Sequence, residues 1–133
     1  MKYLIQIWCN PQNWEHPLFL KDPEFLALPE ERRNELVAAD QALYDEITAS
    51  GELLVGCALA DPVTATTIRG RDGVATTTDG PFPESKEQLA GYFVVECETR
   101  ERAVEIALRF PDALLSSTAV EVRPIMGESG QEM

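Results

Sequence analysis

The sequence predicts a single α+β domain of the split βαβ type carrying one extra β-hairpin. Three observations point there. Strand-like and helix-like runs follow one another in the order β-α-β-(hairpin)-α-β. The stretch after Pro29 places Leu36, Ala39, Leu43 and Ile47 at helical spacing. Arg71-Asp72-Gly73 separates two short β-rich runs, which is a hairpin signal. A length of 133 residues suits one domain, and 44% hydrophobic content supplies a core.

Each element has its own local reason. Residues 2 to 9 are rich in β-branched and aromatic side chains and read as the first strand. Residues 10 to 28 read as a long connection bearing Pro11, Pro17, Trp14, His16 and Phe19. Pro29-Glu30-Glu31 opens a helix, because proline and acids suit a first turn, and Gly51 closes it. The acids and bases from Glu30 to Glu35 read as its solvated face. Strands are expected at 53 to 59, 63 to 69 and 74 to 78. Ser85 and Gln88 have capping-box spacing, so a short helical turn closed by Gly91 is expected before a strand at 92 to 97. Thr99 then caps a second helix with Ala103, Ile106, Ala107 and Phe110 on one face, stopped at Pro111. A last strand covers 119 to 125, and residues 127 to 133 read as a flexible tail behind a domain of residues 1 to 126.

In this architecture both helices cover one face of an antiparallel sheet. Side-chain alternation assigns Tyr3, Ile5, Ile7, Cys9, Phe93, Val95, Cys97, Val120 and Val122 to that face. The other face receives Gln6, Trp8, Tyr92, Glu96, Glu121 and Arg123 among apolar neighbours. That mixture suits a cleft or a homodimer interface better than bulk solvent.

The turn Asp79-Gly80-Pro81-Phe82-Pro83 is stiff, acidic and aromatic, and it lies between strand-like runs. Two prolines fix φ and lack an N–H, Gly80 accepts unusual backbone angles, and Asp79 can hydrogen-bond the turn it opens. The same segment, with Glu84-Ser85-Lys86-Glu87-Gln88-Leu89 and Gly91-Tyr92, resembles the YCII-related family in its DGPF-motif branch. Met1-Lys2-Tyr3, Ala65 to Arg69 and Val120 to Pro124 extend the resemblance over nearly the whole chain. It implies a ferredoxin-like domain that pairs into a dimeric α/β barrel. It also implies an association with sigma factors, as for some members, and no single activity. Members outside that branch are credited with a His–Asp pair whose histidine lies in the first helical region. Here His16 precedes that region and residues 30 to 49 hold no histidine, so the pair is not carried over.

Composition excludes several classes. A net charge of −12 opposes nucleic-acid binding and docking on anionic membranes. No apolar run approaches membrane-spanning length, and the first residues read as a strand rather than a signal peptide, so a cytoplasmic location is expected. Cys9, Cys57 and Cys97 are dispersed and odd in number, which suits reduced, buried thiols. No metal-ligand spacing or phosphate loop is present, and no cofactor is expected. The candidate site residues are Asp79 as a general acid or base and Trp8, His16, Gly80, Pro81, Phe82, Tyr92 and Arg123 as ligand contacts. Arg123 reads either as a buried partner of Glu121, Glu96 or Asp79, or as a fork for an anionic ligand. Asp79 is expected at the rim of the principal pocket. The favoured reading is a homodimeric small-ligand-binding or regulatory module with a cleft at its interface. A cofactor-free enzyme using Asp79 and Arg123, and a sigma-factor interaction module, are the alternatives.

Overall fold

A computed structural model describes residues 1–10, 14–82 and 86–127. The expected tail lies, from residue 128 onward, outside these residues. β1 (Lys2–Cys9) alternates as anticipated, with Tyr3, Ile5, Ile7 and Cys9 buried. The connection after it is more ordered than its sequence suggested. It contains a 3-10 turn at Leu18–Lys21 and a one-turn helix, α1 (Pro23–Leu26). The Asp22 carboxylate caps α1 by accepting from the N–H groups of Glu24 (2.8 Å) and Phe25 (3.3 Å). Four residues are too few to register as helical periodicity, so α1 was not anticipated within the connection.

α2 (Glu30–Ser50) follows Pro29 and stops at Gly51, whose φ of 81° is the left-handed conformation that glycine tolerates best. Leu36, Leu43 and Ile47 are buried on it. Ala39 is exposed, and Asp40 takes the inward position between Leu36 and Leu43 instead. β2 (Leu53–Ala58) leads to a 3-10 turn at Pro62–Thr64, where the strand expected from residue 63 is delayed. The cause is a local cap, the Asp61 carboxylate accepting from the N–H of Val63 at 3.0 Å. β3 (Thr66–Arg71) and β4 (Val74–Asp79) form the hairpin, and Asp72 (φ 53°) and Gly73 (φ 77°) make its two-residue turn.

β5 (Gln88–Glu96) corrects one expectation. Gln88 to Gly91 belong to the strand and not to a helical turn; Ser85 lies outside the described residues. Gln88 and Leu89 pair with Cys9 and Trp8 across a register shift in β1, and this ladder overrides the local capping signal. Thr99 caps α3 (Arg100–Leu108), its hydroxyl accepting from the N–H of Arg102 at 3.2 Å. β6 (Thr118–Pro124) completes the chain.

Among the described residues, the four-stranded sheet has the order β2-β5-β1-β6 with every neighbour antiparallel, while β3 and β4 pair only with each other. α2 and α3 pack on one face. Tyr3, Ile5 and Val95 meet Leu43, Ile47, Ala103, Ile106 and Phe110 there to form the main core. A second cluster of Ile7, Cys9, Leu18 and Ala90 and a third of Phe19, Phe25 and Leu115 extend it under the α1 segment. Among the described residues, no helix is long and apolar enough to cross a membrane.

Candidate functional site

The principal cavity, the one richest in aromatic and ionisable side chains among the described residues, sits on the helix-covered side of the sheet, not on the open face. It holds about 430 Å3. Small residues create it where β2 and β5 pair. Gly56, Ala58, Ala90 and Gly91 leave a gap that the aromatic residues nearby wall but do not fill. The glycines are required by close approach. A Cβ on Gly91 would stand 2.5 Å from the carbonyl oxygen of Cys57, and one on Gly56 would stand 3.0 Å from the Phe93 ring. Phe93 in turn stacks on Phe110 with ring centroids 4.8 Å apart, and Tyr44 packs against both.

Polar groups enter this cavity from three elements. α2 contributes Asp40 and Tyr44, the turn after α3 contributes Asp112, and the segment before α1 contributes His16. Burial raises the Asp40 carboxyl to about 6, with the nearby Asp112 charge adding to the shift. Burial likewise raises the Asp112 carboxyl, against its own backbone N–H and His16, which favour the charged form. Burial raises the Tyr44 phenol too, reinforced by Asp40 and Asp112. Beneath the site, burial pushes the Cys9 thiol up to about 12, with Asp112 and Asp22 adding to the effect, so this cysteine is an inert core residue.

His16 is held at the mouth. Its Nε2 lies 2.7 Å from the Leu59 carbonyl oxygen, which also accepts from the Trp14 indole at 2.9 Å. A carbonyl only accepts, so His16 Nε2 carries the proton, and Nδ1 is the nitrogen left to accept one. His16 is thus the one anticipated site residue in the principal cavity. Asp40, Tyr44 and Asp112 were missed. The signal for Asp40 was its spacing, four residues after Leu36 and three before Leu43, which puts a carboxyl on the buried stripe of α2.

Three other anticipated residues meet elsewhere. Trp8, Pro81 and Phe82 line a groove of about 590 Å3 with Leu89 and the root of the hairpin. Gly80, at φ 104°, donates its N–H to the Ala65 carbonyl at 2.7 Å and accepts from the Thr67 hydroxyl at 2.7 Å, so it fixes this root. Phe82 is 64% exposed and lies under the Arg69 guanidinium, 4.8 Å from the ring centroid. Asp79 is exposed at the end of β4 and lines neither the principal cavity, contrary to expectation, nor the larger groove beside it. Asp79 pairs with Thr66 at the root of the hairpin, whose strands pair with each other and not with the four-stranded sheet.

Tyr92 is half-buried on the open face, where the Cys57 side chain hydrogen-bonds it and raises its phenol. Arg123 pairs with Glu121 at 2.6 Å, but its side chain is 68% exposed, so the pair is a surface one and not the buried partnership foreseen. The structure therefore does not bring Asp79 and Arg123 together in the principal cavity. Cys97 is buried, and Cys57 is half-buried.

Residues 1–128 match the sequence model of the YCII-related domain. An uncharacterized protein, R00369, from Rhizobium meliloti (strain 1021) is 33% identical over 84 residues, covering 63% of this chain and 68% of that protein. Among solved structures, 5-chloro-2-hydroxyhydroquinone dehydrochlorinase (TftG) from Burkholderia phenoliruptrix AC1100, in complex with 2,5-dihydroxybenzoquinone, aligns with a TM-score of 0.50. The identity is 16%, and the alignment covers 99% of this chain and 100% of that one. The likeness is one of fold, a ferredoxin-like α+β domain.

Proposed function

The chain belongs to the YCII-related domain family, and on that premise we propose that it is a small-molecule-binding protein whose site is the helix-side cavity. One observation carries the reading: an apolar, aromatic-walled space holds two carboxyls, Asp40 and Asp112, whose acidity burial has weakened. Half-buried carboxyls of weakened acidity cost stability, and they concentrate where ligands or protons are handled. The protein acts as a homodimer paired through the open sheet face, which carries Leu4, Gln6, Trp8, Tyr92 and Val94 half-buried in one chain.

The test is a small-molecule screen read by backbone amide NMR. Ligands are expected to perturb the amides of Tyr44, Ala90, Gly91 and Phe93. Ligands that perturb only the Trp8, Phe82 and Leu89 groove would overturn the assignment of the site.

A second reading, cofactor-free proton transfer, is favoured by His16. Its Nδ1 is placed to accept a proton while a protonated Asp40 can donate one, a complementary acid and base at one cavity. That TftG is a dehydrochlorinase is compatible with this reading, while 16% identity carries none of its substrate across. A ligand that is turned over, with loss of turnover in His16→Gln and binding retained, would decide for it; unchanged turnover in that variant would decide against it.

A further inference from the structure

The lining of the cavity also points to the class of its ligand, an inference that rests on the binding reading above. The cavity is walled by the rings of Tyr44, Phe93 and Phe110, with Phe19 beside them. Aromatic faces carry negative potential and attract cations. Asp40 and Asp112 line the same space, and neither lysine nor arginine does. Asp112 accepts from its own backbone N–H and feels His16 at the mouth. Asp40 has neither a hydrogen bond nor an ion pair among the described residues. Elsewhere the chain does provide cations for its acids. Arg102 alone holds Glu46, Glu52 and Glu105 at 2.8 to 2.9 Å. Two like charges sharing a largely apolar space, with His16 at the mouth the one basic side chain that lines it, are unfavourable on their own.

The charge selects among occupants. An anionic ligand would be repelled by both carboxyls. A metal ion is a poor match, because among the described residues no three His, Cys, Asp or Glu side chains are grouped to hold one. An ion would also leave the rings with nothing to cover.

We propose that the cavity binds a small organic cation, an amine or alkylated ammonium on an apolar body. Asp40 and Asp112 take the charged nitrogen, and the rings of Tyr44, Phe93 and Phe110 take the body.

The proposal fixes a pH dependence. Asp40 ionises at about 6, so the site loses attraction for a cation as pH falls through that value. The titratable groups that share the cavity are Tyr44 on the same helix and His16 and Asp112 on other elements, with the Asp22 charge also acting on Asp112; the Cys57 side chain is engaged with Tyr92 on the open face.

Three probes of similar shape and different charge test it on the full chain by amide NMR: benzylamine, benzyl alcohol and benzoate. Benzylamine should perturb Tyr44, Ala90, Gly91 and Phe93 and bind more tightly than the other two. Its affinity should fall several-fold between about pH 8 and about pH 5. Asp40→Asn should weaken benzylamine about tenfold, remove most of the pH dependence and leave benzyl alcohol unaffected. The same variant should not lower the thermal midpoint at neutral pH, since it removes an uncompensated charge; a purely structural Asp40 would lower it. Benzyl alcohol or benzoate binding in the cavity as tightly as benzylamine would overturn the cation class and leave the binding reading intact, as would benzylamine binding that ignores Asp40→Asn. Absence of cavity perturbation by all three would overturn both.

Discussion

Arg102 joins three parts of the fold. Its Nε and Nη2 grip both oxygens of Glu52 at 2.8 Å, Nη2 also meets Glu46 at 2.9 Å, and Nη1 meets Glu105 at 2.8 Å. It thereby ties α2 and α3 to the start of β2. The Arg102 hydrogen bonds hold the Glu52 carboxyl down at about 2, against some burial that pushes the other way. A carboxyl with a depressed folded-state value stabilises the fold above its ordinary 4.5 and loses that contribution as pH falls towards 2. Arg102→Ala should therefore lower stability at neutral pH by about 1 to 2 kcal/mol, allowing for solvent screening, and flatten the acid limb of a stability-against-pH curve. An unchanged acid limb in chemical denaturation would show that the network is ornamental. Asp40 has the opposite sign. Its raised value means the folded chain holds that proton more tightly, so its contribution is full below 3.8 and is lost as pH rises to about 6. Ala39 and Asp40 lie one position apart on a helix, about 100° in rotation, and hydrophobicity alone favoured Ala39. Packing against Phe110 and the small residues of β2 and β5 decided otherwise, and those contacts are distant in sequence.

The hairpin formed by β3 and β4 stands apart from the main sheet. Its six rungs pair only with each other, and its side chains are exposed apart from Thr67. A two-stranded hairpin alone is marginal in water, and among the described residues its ties are at the root, through Gly80, Ala65 and Thr67, and the exposed contact of Arg69 with Phe82. Amides within it should exchange with solvent by local opening, faster than those of Ile5 and Val95 in the core strands. Gly73→Ala, at a φ of 77°, should hasten that exchange without moving the global midpoint. Protection equal to that of β1 and β5 would contradict this picture. The Asp72-Gly73 turn, the bounds of β1 and α2, and the Thr99 cap were all legible, because each depends on neighbours in sequence. Which sheet the hairpin joins was not legible, since no local pattern encodes it. The start of β5 was misread for the same reason: Gln88 and Leu89 answer to Trp8 and Cys9, not to Ser85.

At the scale of the molecule, a net charge of −12 opposes self-association, while the half-buried open face favours it. Light scattering at micromolar concentration should give the mass of two chains, with the monomer gaining ground at low salt, where repulsion is less screened. A monomer at physiological salt would remove the dimer from the account. The fold class followed from element order, and the face assignments of β1, β5 and β6 followed from alternation. The candidate site was only partly foreseen. The stiff Asp79–Phe82 turn drew attention because its peculiarity is local, whereas the cavity arises from small residues on two strands meeting carboxyls from two other segments. The central claim is that Asp40 is an inward, uncompensated carboxyl in that cavity. Its side-chain carboxyl carbon, followed by NMR through a pH titration, tests this directly. An inward carboxyl beside Asp112 should titrate with a midpoint at about 6 that moves down in Asp112→Asn; a midpoint at the ordinary 3.8, indifferent to that substitution, would contradict the claim.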